Sequence, residues 1–461
     1  MTQPLADIDA DLVVIGFGKG GKTLAATLGK QGKRVVMIEQ SDRMYGGTCI
    51  NIGCVPTKSM VFRAEQITDP PRPAAYEAAV HATADLTAEL RATNFAMIDT
   101  IPTATVLTGH ARFLDPHTVQ VELDDATVTV AGGTIVVGTG SEPTIPDIPG
   151  LRANPRTVTS TDLLVTEELP RRLVVLGGGY VGLEFAAMYA AYGSEVTVIE
   201  RHEAILGNED DDVAESARAI LARAGVTIVT SAQVTAVEDG ADAALVRYAK
   251  DGVPQELPAD KVLVALGRKP VTEDLGLEAA GIATRLDGSI VADEYLRTSQ
   301  PHVFAVGDVN GGPQFTYVSL DDYRIVLDQL AGGGTRSTSD RVAVPYALFM
   351  TPPLARVGIT QREAEAAGLS VRTAALRVAD MATVPRARIV SEPDGMMKVI
   401  VDAATDQILG AALLSYDSHE VINLVALAMR HGITATALRD GIYTHPSMSE
   451  AFNQLLGALH P

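Results

Sequence analysis

Leu12 to Ile15 is a short, unbroken apolar run that ends at Gly16-Phe17-Gly18-Lys19-Gly20-Gly21. Such a run predicts an apolar strand. Thr23 to Lys30 predicts a helix after the turn, and Arg34 to Ile38 predicts a second strand, closed by Glu39. The same pattern returns downstream. Leu173 to Leu176 is the apolar run, Gly177-Gly178-Gly179-Tyr180-Val181-Gly182 the turn, Leu183 to Tyr192 the helix, and Glu195 to Ile199 the next strand, closed by Glu200. In each copy the glutamate stands 23 positions after the first glycine, Gly16 to Glu39 and Gly177 to Glu200.

Both copies read as βαβ units with a G-x-G-x-x-G turn, made by Gly16, Gly18 and Gly21 and by Gly177, Gly179 and Gly182. Such glycines let the backbone turn tightly and approach a pyrophosphate, while the helix N-terminus offers free N–H groups to it. Glu39 and Glu200 stand where a carboxylate accepts ribose hydroxyls. One such turn is a weak signal; two with matched spacing imply two bound dinucleotides.

Two further apolar runs end in turns. Thr134 to Val137 leads into Gly138-Thr139-Gly140, and Val262 to Ala265 leads into Leu266-Gly267-Arg268. Both predict a strand leaving a dinucleotide domain. Pro143, Pro146 and Pro149 predict a stiff connection. Val303 to Val306 is another buried strand, ending at Gly307-Asp308, and Gly332 to Asp340 reads as a linker. Pro70 to Asn94 reads as a helical excursion of the first domain. Beyond the linker, Met397 to Val401 and Leu409 to Leu413 predict strands, and His419 to His431 an amphipathic helix. The expected fold is α/β, with two Rossmann-like dinucleotide-binding domains and an α+β C-terminal domain. The expected segments are 1–150, 151–270, 271–340 and 341–461.

The formal net charge of -20 argues against nucleic acid or an anionic membrane as a partner. No apolar run of transmembrane length occurs, and Met1 to Ala10 lacks the features of a signal peptide, so the cytoplasm is expected. The acidic stretch Glu209 to Asp212 reads as a solvated helix start.

Only two cysteines occur, Cys49 and Cys54, in Gly46-Gly47-Thr48-Cys49-Ile50-Asn51-Ile52-Gly53-Cys54-Val55-Pro56-Thr57-Lys58. A close pair in a cytosolic chain points to redox chemistry ahead of a metal site, which needs about four ligands. In a regular helix the two would stand about 140° apart around the axis and about 7.5 Å along it. A disulfide therefore needs a distorted turn, which Asn51, Gly53 and Pro56 permit.

This motif, the two glycine units and the C-terminal segment together resemble the class I pyridine nucleotide-disulfide oxidoreductases. The likeness spans essentially the whole chain. It implies FAD on the first unit, NAD(P)H on the second and a homodimer through the third domain. It further implies that Cys54 is the flavin-proximal cysteine and Cys49 the one that meets substrate. Lys58 and Glu184 match the ion pair beside the flavin, Tyr180 the aromatic gate of the nicotinamide pocket, and Asp308 the acid that holds the ribityl chain. Thr48, Gly140 and Gly267 fall on further cofactor-binding positions. Thr444-His445-Pro446-Ser447-Met448-Ser449-Glu450 resembles the family's H-P-x-x-x-E element. By that likeness His445 crosses the dimer interface as acid/base for the thiols and Glu450 orients it.

Glu200 favours NADH, because it would repel a 2′-phosphate, although Arg201 and His202 beside it leave room for NADPH. No metal is expected. Ile15 to Lys19, Met44 to Gly47, Gln314 to Tyr317, Ser319 to Arg324 and Met350 to Leu354 are similar to a narrower branch, the bacterial reactive-chlorine-resistance flavoproteins. That likeness implies a small-molecule oxidant as substrate, hypothiocyanous acid or Cu(II). Dihydrolipoamide dehydrogenase and a mercuric-type reductase are the alternatives among enzymes. The absence of a third cysteine weighs against the latter. A flavin-bound redox sensor is the alternative outside enzymes.

Overall fold

A computed structural model describes residues 7–67 and 73–460. Met1 to Ala6 and the first residues of the expected Pro-rich excursion lie outside the described residues. The chain groups into two compact units. One comprises Met1–Ser59, Ala79–Thr144 and Gly267–Arg341, the other Met60–Ala78, Ile145–Leu266 and Val342–Pro461. Contacts thus put the division at Thr144, Leu266 and Arg341 and move Met60–Ala78 into the second unit.

In the first unit, strand β1 (Ile8–Ile15) leads into helix α1 (Lys19–Lys30) and strand β2 (Val35–Glu39). β1 lies parallel between β2 and Thr127–Val137 in a seven-stranded sheet, with Leu12 opposite Val35 and Thr134. The apolar runs are continuous because both sheet faces are covered. Val13, Ile15, Val36 and Ile38 face one core with Phe113 and Leu275. Leu12, Val14, Val35 and Met37 face the other, with Leu24 and Leu28 of α1 and Ile325 of helix Thr316–Ala331. Gly16 has φ +98°, and a Cβ there would lie 2.3 Å from the carbonyl oxygen of Gly138, so glycine is required.

After β2 the chain forms two short helices, α2 (Thr48–Asn51) and α3 (Cys54–Glu65), and then α4 (Pro73–Asp99). The helical excursion therefore exists, and it runs five residues beyond the expected Asn94.

The second unit repeats the pattern. Arg172–Leu176 is followed by helix Tyr180–Tyr192 and strand Glu195–Ile199 in a five-stranded parallel sheet. The C-terminal segment contributes five antiparallel strands in the order Tyr346–Leu348, Leu354–Gly358, Ile408–Leu414, Met396–Asp402 and Val371–Arg377. Helix Ser418–Arg430 packs Val421, Ile422 and Val425 into the core beside them.

The reading of Glu209 to Asp212 as solvated needs correction. Only Asp211, with its side chain 96% exposed, fits it fully, and Asp212 is partly exposed. Glu209 is 1% exposed, and Asp210 is buried against Lys398 at 3.1 Å. A run of like charges can be divided between core and solvent when buried cations meet two of its members.

Candidate active site

Cys49 and Cys54 stand on either side of a helix break. Gly47, with φ +78°, caps α2, and α3 begins at Cys54 itself. Between them a Cβ on Gly53 would come within 3.0 Å of the Thr48 carbonyl oxygen, so the break stays tight. The break sets the two cysteines close enough to shift each other's ionisation, and both are free thiols in the structure. That proximity sets their chemistry: the hydrogen bond from Cys49 draws Cys54 down and pushes Cys49 up, with burial adding to the rise at Cys49. The Thr316 hydroxyl, 3.7 Å from the Cys54 sulfur, and the charge of Lys58 also lower Cys54. Cys54 is therefore the first of the two thiols to ionise.

The cofactor residues expected in this unit gather around the same turn. A Cβ on Gly140 would lie 3.9 Å from the Thr48 hydroxyl. Asp308 accepts a hydrogen bond from the Ser141 hydroxyl at 2.6 Å, and Ser141 is held by Arg268 at 2.8 Å. Gly140 and Gly267 flank an antiparallel crossing, accepting from Val271 N and Thr144 N, both at 3.0 Å. Glu39 is buried and accepts from Phe17 N at 2.9 Å. Burial pushes its carboxyl up to about 7, against backbone donors that work the other way.

In the second unit, Glu200 accepts from Gly178 N at 2.7 Å and from His202 N at 2.9 Å. Tyr180 opens the helix after the second glycine turn. Its hydroxyl lies 2.8 Å from Glu209 Oε1 and 3.0 Å from the Tyr346 hydroxyl, which itself donates to Glu209 at 2.9 Å. Arg356 faces the other carboxylate oxygen at 3.7 Å. Burial, then the Glu209 charge, holds the Tyr180 phenol far above its ordinary range. Glu184 is buried and accepts from Phe349 N at 2.9 Å. His445 Nδ1 lies 2.7 Å from Glu450 Oε1, and Ser447 N donates to Glu450 Oε2 at 2.9 Å. Burial raises the Glu450 carboxyl, but these two bonds outweigh it and keep it low. The His445 side chain is 66% exposed, with Nδ1 directed at the carboxylate and Nε2 on the opposite side of the ring.

Both glycine turns suit a dinucleotide. The N-cap residues of the two helices, Gly18 and Gly179, provide no side-chain cap. A Cβ on Gly179 would meet nothing within 4 Å, so that backbone faces open space. Sequence reasoning missed Thr316, Lys22, Glu209, Tyr346 and Arg356.

The pyridine nucleotide-disulphide oxidoreductase family model matches residues 10–322, and the dimerisation-domain model of that family matches residues 344–456. The chain is 45% identical to the probable pyridine nucleotide-disulfide oxidoreductase RclA of Escherichia coli K12, over 96% of its own length and 98% of that protein's. It is 32% identical to the dihydrolipoyl dehydrogenase of Mycobacterium tuberculosis H37Rv, over 97% and 98% of the two chains. Against the mercuric reductase of Staphylococcus aureus the figures are 34% identity over 96% and 81%. The solved Cu(II) complex of the HOCl-induced flavoprotein disulfide reductase RclA from E. coli matches with a TM-score of 0.92 at 44% identity, covering 98% of this chain and 99% of that one.

Proposed function

The chain belongs to the pyridine nucleotide-disulphide oxidoreductases, and on that premise we propose that Cys49 and Cys54 are its redox-active pair and hypothiocyanous acid its foremost electron acceptor. The protein is an FAD-dependent oxidoreductase of a pyridine nucleotide. The observation that carries the assignment of the pair is the tight break between Thr48–Asn51 and Cys54–Glu65, which places two free thiols on either side of one turn.

FAD, when bound at the first glycine turn, would supply two-electron redox chemistry between the nicotinamide and the Cys49–Cys54 pair. Glu39 and Asp308 would hold it through ribose and ribityl hydroxyls, with Gly16, Gly18 and Gly21 leaving room for its pyrophosphate. Gly177, Gly179 and Gly182 take the nicotinamide dinucleotide, Glu200 selects NADH, and Tyr180 gates the pocket. Lys58 and Glu184 keep the roles that the family likeness gives them.

With the pair reduced, Cys49 attacks the electrophilic sulfur of hypothiocyanous acid. The S–O bond breaks, and the departing hydroxide takes a proton and leaves as water. The Cys54 thiolate then attacks the Cys49 sulfur, thiocyanate leaves and the disulfide closes. His445 from a second copy, steadied by Glu450, accepts the Cys49 proton, and its exposure supports that role. Cu(II) is a second acceptor, favoured by the Cu(II) complex of the E. coli relative; the two thiols would reduce two such ions by one electron each. Among the described residues no helix is long and apolar enough to cross a membrane, and we assign the protein to the cytoplasm.

The test is NADH consumption with hypothiocyanous acid, Cu(II) and lipoamide compared side by side. Hypothiocyanous acid should give the highest kcat/KM; faster turnover of lipoamide would overturn the assignment. The rate should hold above pH 6 and fall below it, as Cys54 is protonated through its lowered pKa of about 6.

A further inference from the structure

Lys22 lies in the first turn of α1, directly after Gly21, yet its side chain is not at the surface: the residue is 4% exposed. Its ammonium donates to the Gly46 carbonyl oxygen at 3.0 Å and to Asn94 Oδ1. Asn94 is itself fixed on α4 by a bond to the Leu90 carbonyl oxygen at 2.7 Å. Gly46 and Gly47, at φ +102° and +78°, form the turn that delivers the chain into α2 and Cys49. The lysine thus ties down the turn that sets the position of Cys49.

Among the described residues no carboxylate pairs with this ammonium. A buried cation without a counter-ion is costly, and burial pulls its pKa down to about 8. The other titratable groups acting on it are Lys19, on its own helix, and Cys49 on α2. Arg91 of α4 is turned to Asn51 Oδ1 at 2.8 Å. The influence of Cys49 is mutual: the Lys22 charge lowers the Cys49 thiol, against the larger upward pushes from Cys54 and burial. An apolar side chain would fill the space without the charge penalty, so the charge needs a reason.

We propose that Lys22 is a positioning residue of the redox centre, which bolts the Gly46–Gly47 turn and supplies, at neutral pH, the positive charge that helps Cys49 ionise once the disulfide is open. This rests on the redox assignment of Cys49 and Cys54. Cys54 holds the first thiolate, so Cys49 must lose its proton beside an existing negative charge. Lys22 offsets that repulsion from the side of α1.

The test uses the FAD-loaded protein reduced with dithiothreitol, with alkylation of each cysteine by iodoacetamide followed by peptide mass spectrometry across pH. Lys22→Gln keeps a donor for Gly46 but loses the charge; Lys22→Arg keeps the charge. In Lys22→Gln the Cys49 profile should move up by about one pH unit, roughly a tenfold slower reaction at pH 7, with Lys22→Arg within about twofold of wild type. An unmoved profile in Lys22→Gln, or an equal shift in Lys22→Arg, overturns the proposal. Should Lys22→Gln not fold, wild type still decides. By linkage the Lys22 pKa, followed by 13C NMR of labelled lysine, must be higher in the dithiol form than in the disulfide form, and equal values would refute the idea. If wild-type thiol counts show no disulfide cycling of Cys49 and Cys54, it is the redox assignment that fails, before Lys22 is reached.

Discussion

The two glycine turns share their spacing and differ in the side chain that stands directly after a glycine. In the first, Lys22, after the last glycine, folds away from the turn and fastens the loop that carries Cys49. In the second, Tyr180, after the middle glycine, extends from the helix start onto a buried carboxylate, Glu209, shared with Tyr346. The closing glutamates differ as well. Glu39 is met by backbone donors from its own turn and the residues after it, Phe17, Gln40 and Ser41, whereas Glu200 takes Gly178 on one oxygen and His202 on the other. The shared pattern fixes a dinucleotide scaffold. On the roles proposed above, the residues beside it would assign one copy to sulfur chemistry and the other to admission of the reductant.

The largest expected effect separates the two copies by function. Cys49→Ser should cut hypothiocyanous acid reduction by about three orders of magnitude or more, the scale seen when a group acting as a unit loses one member. NADH affinity, assigned above to the second turn, should stay within about twofold, as read by titration calorimetry of the flavin-free protein. A parallel loss of NADH binding would mean that the copies are not functionally separate.

The buried glutamate comes next. Burial raises Glu39 from an ordinary value of 4.5 to about 7. Between those values the folded chain retains a proton that the unfolded chain has lost. Stability therefore declines as pH rises through that window, and the full penalty of about 3 kcal/mol stands above pH 7. Glu39→Gln removes this cost. In urea unfolding of the flavin-free protein, the variant should gain about 3 kcal/mol on wild type at pH 8 and little at pH 4.5, while binding FAD more weakly. A variant no more stable than wild type at pH 8 would show that the carboxylate carries no burial penalty.

The legible parts were those written locally. β1, the glycine turns, the cysteine pair and the His445–Glu450 element each lie within a few dozen residues, where periodicity and spacing carry the signal. What escaped was long-range. Thr316 reaches Cys54 across 262 positions, and Tyr346 reaches Glu209 across 137. Lys22 was hidden differently: a lysine in the first turn of a helix reads as solvated, and only the return of α4 through Asn94 encloses it. Glu209 was misjudged because its neighbours Asp211 and Asp212 do face solvent, and a charge run shows no division of its own.

The middle glycine tests whether ligand alone demands it. Gly179 has φ -86°, which any residue adopts, and a Cβ there meets nothing within 4 Å. Gly179→Ala should leave the melting temperature within about 2 °C, because neither strain nor clash is introduced. NADH affinity should fall roughly tenfold, about 1.4 kcal/mol, because the added methyl occupies the approach to the pyrophosphate. The contrasting change, Gly16→Ala, should damage the fold itself, since its Cβ would strike the Gly138 carbonyl oxygen.

The smallest effect concerns the tyrosine latch. Three oxygens, those of Tyr180, Tyr346 and Glu209 Oε1, share two phenolic protons, so at most two of the three bonds form at once. Tyr346→Phe leaves the Tyr180 proton free to settle wholly on Glu209, and the carboxylate loses one donor. The net cost to stability should be about 1 kcal/mol. Tyr180→Phe also removes one donor from Glu209 and should cost a similar amount, but only this variant acts inside the dinucleotide turn. If Tyr180 gates the pocket, both variants loosen the ring, and the rate of NADH-driven flavin bleaching should change by about the same factor in each. A change in Tyr180→Phe alone would confine the effect to the turn and leave Glu209 as a purely structural anchor between Tyr346 and Arg356.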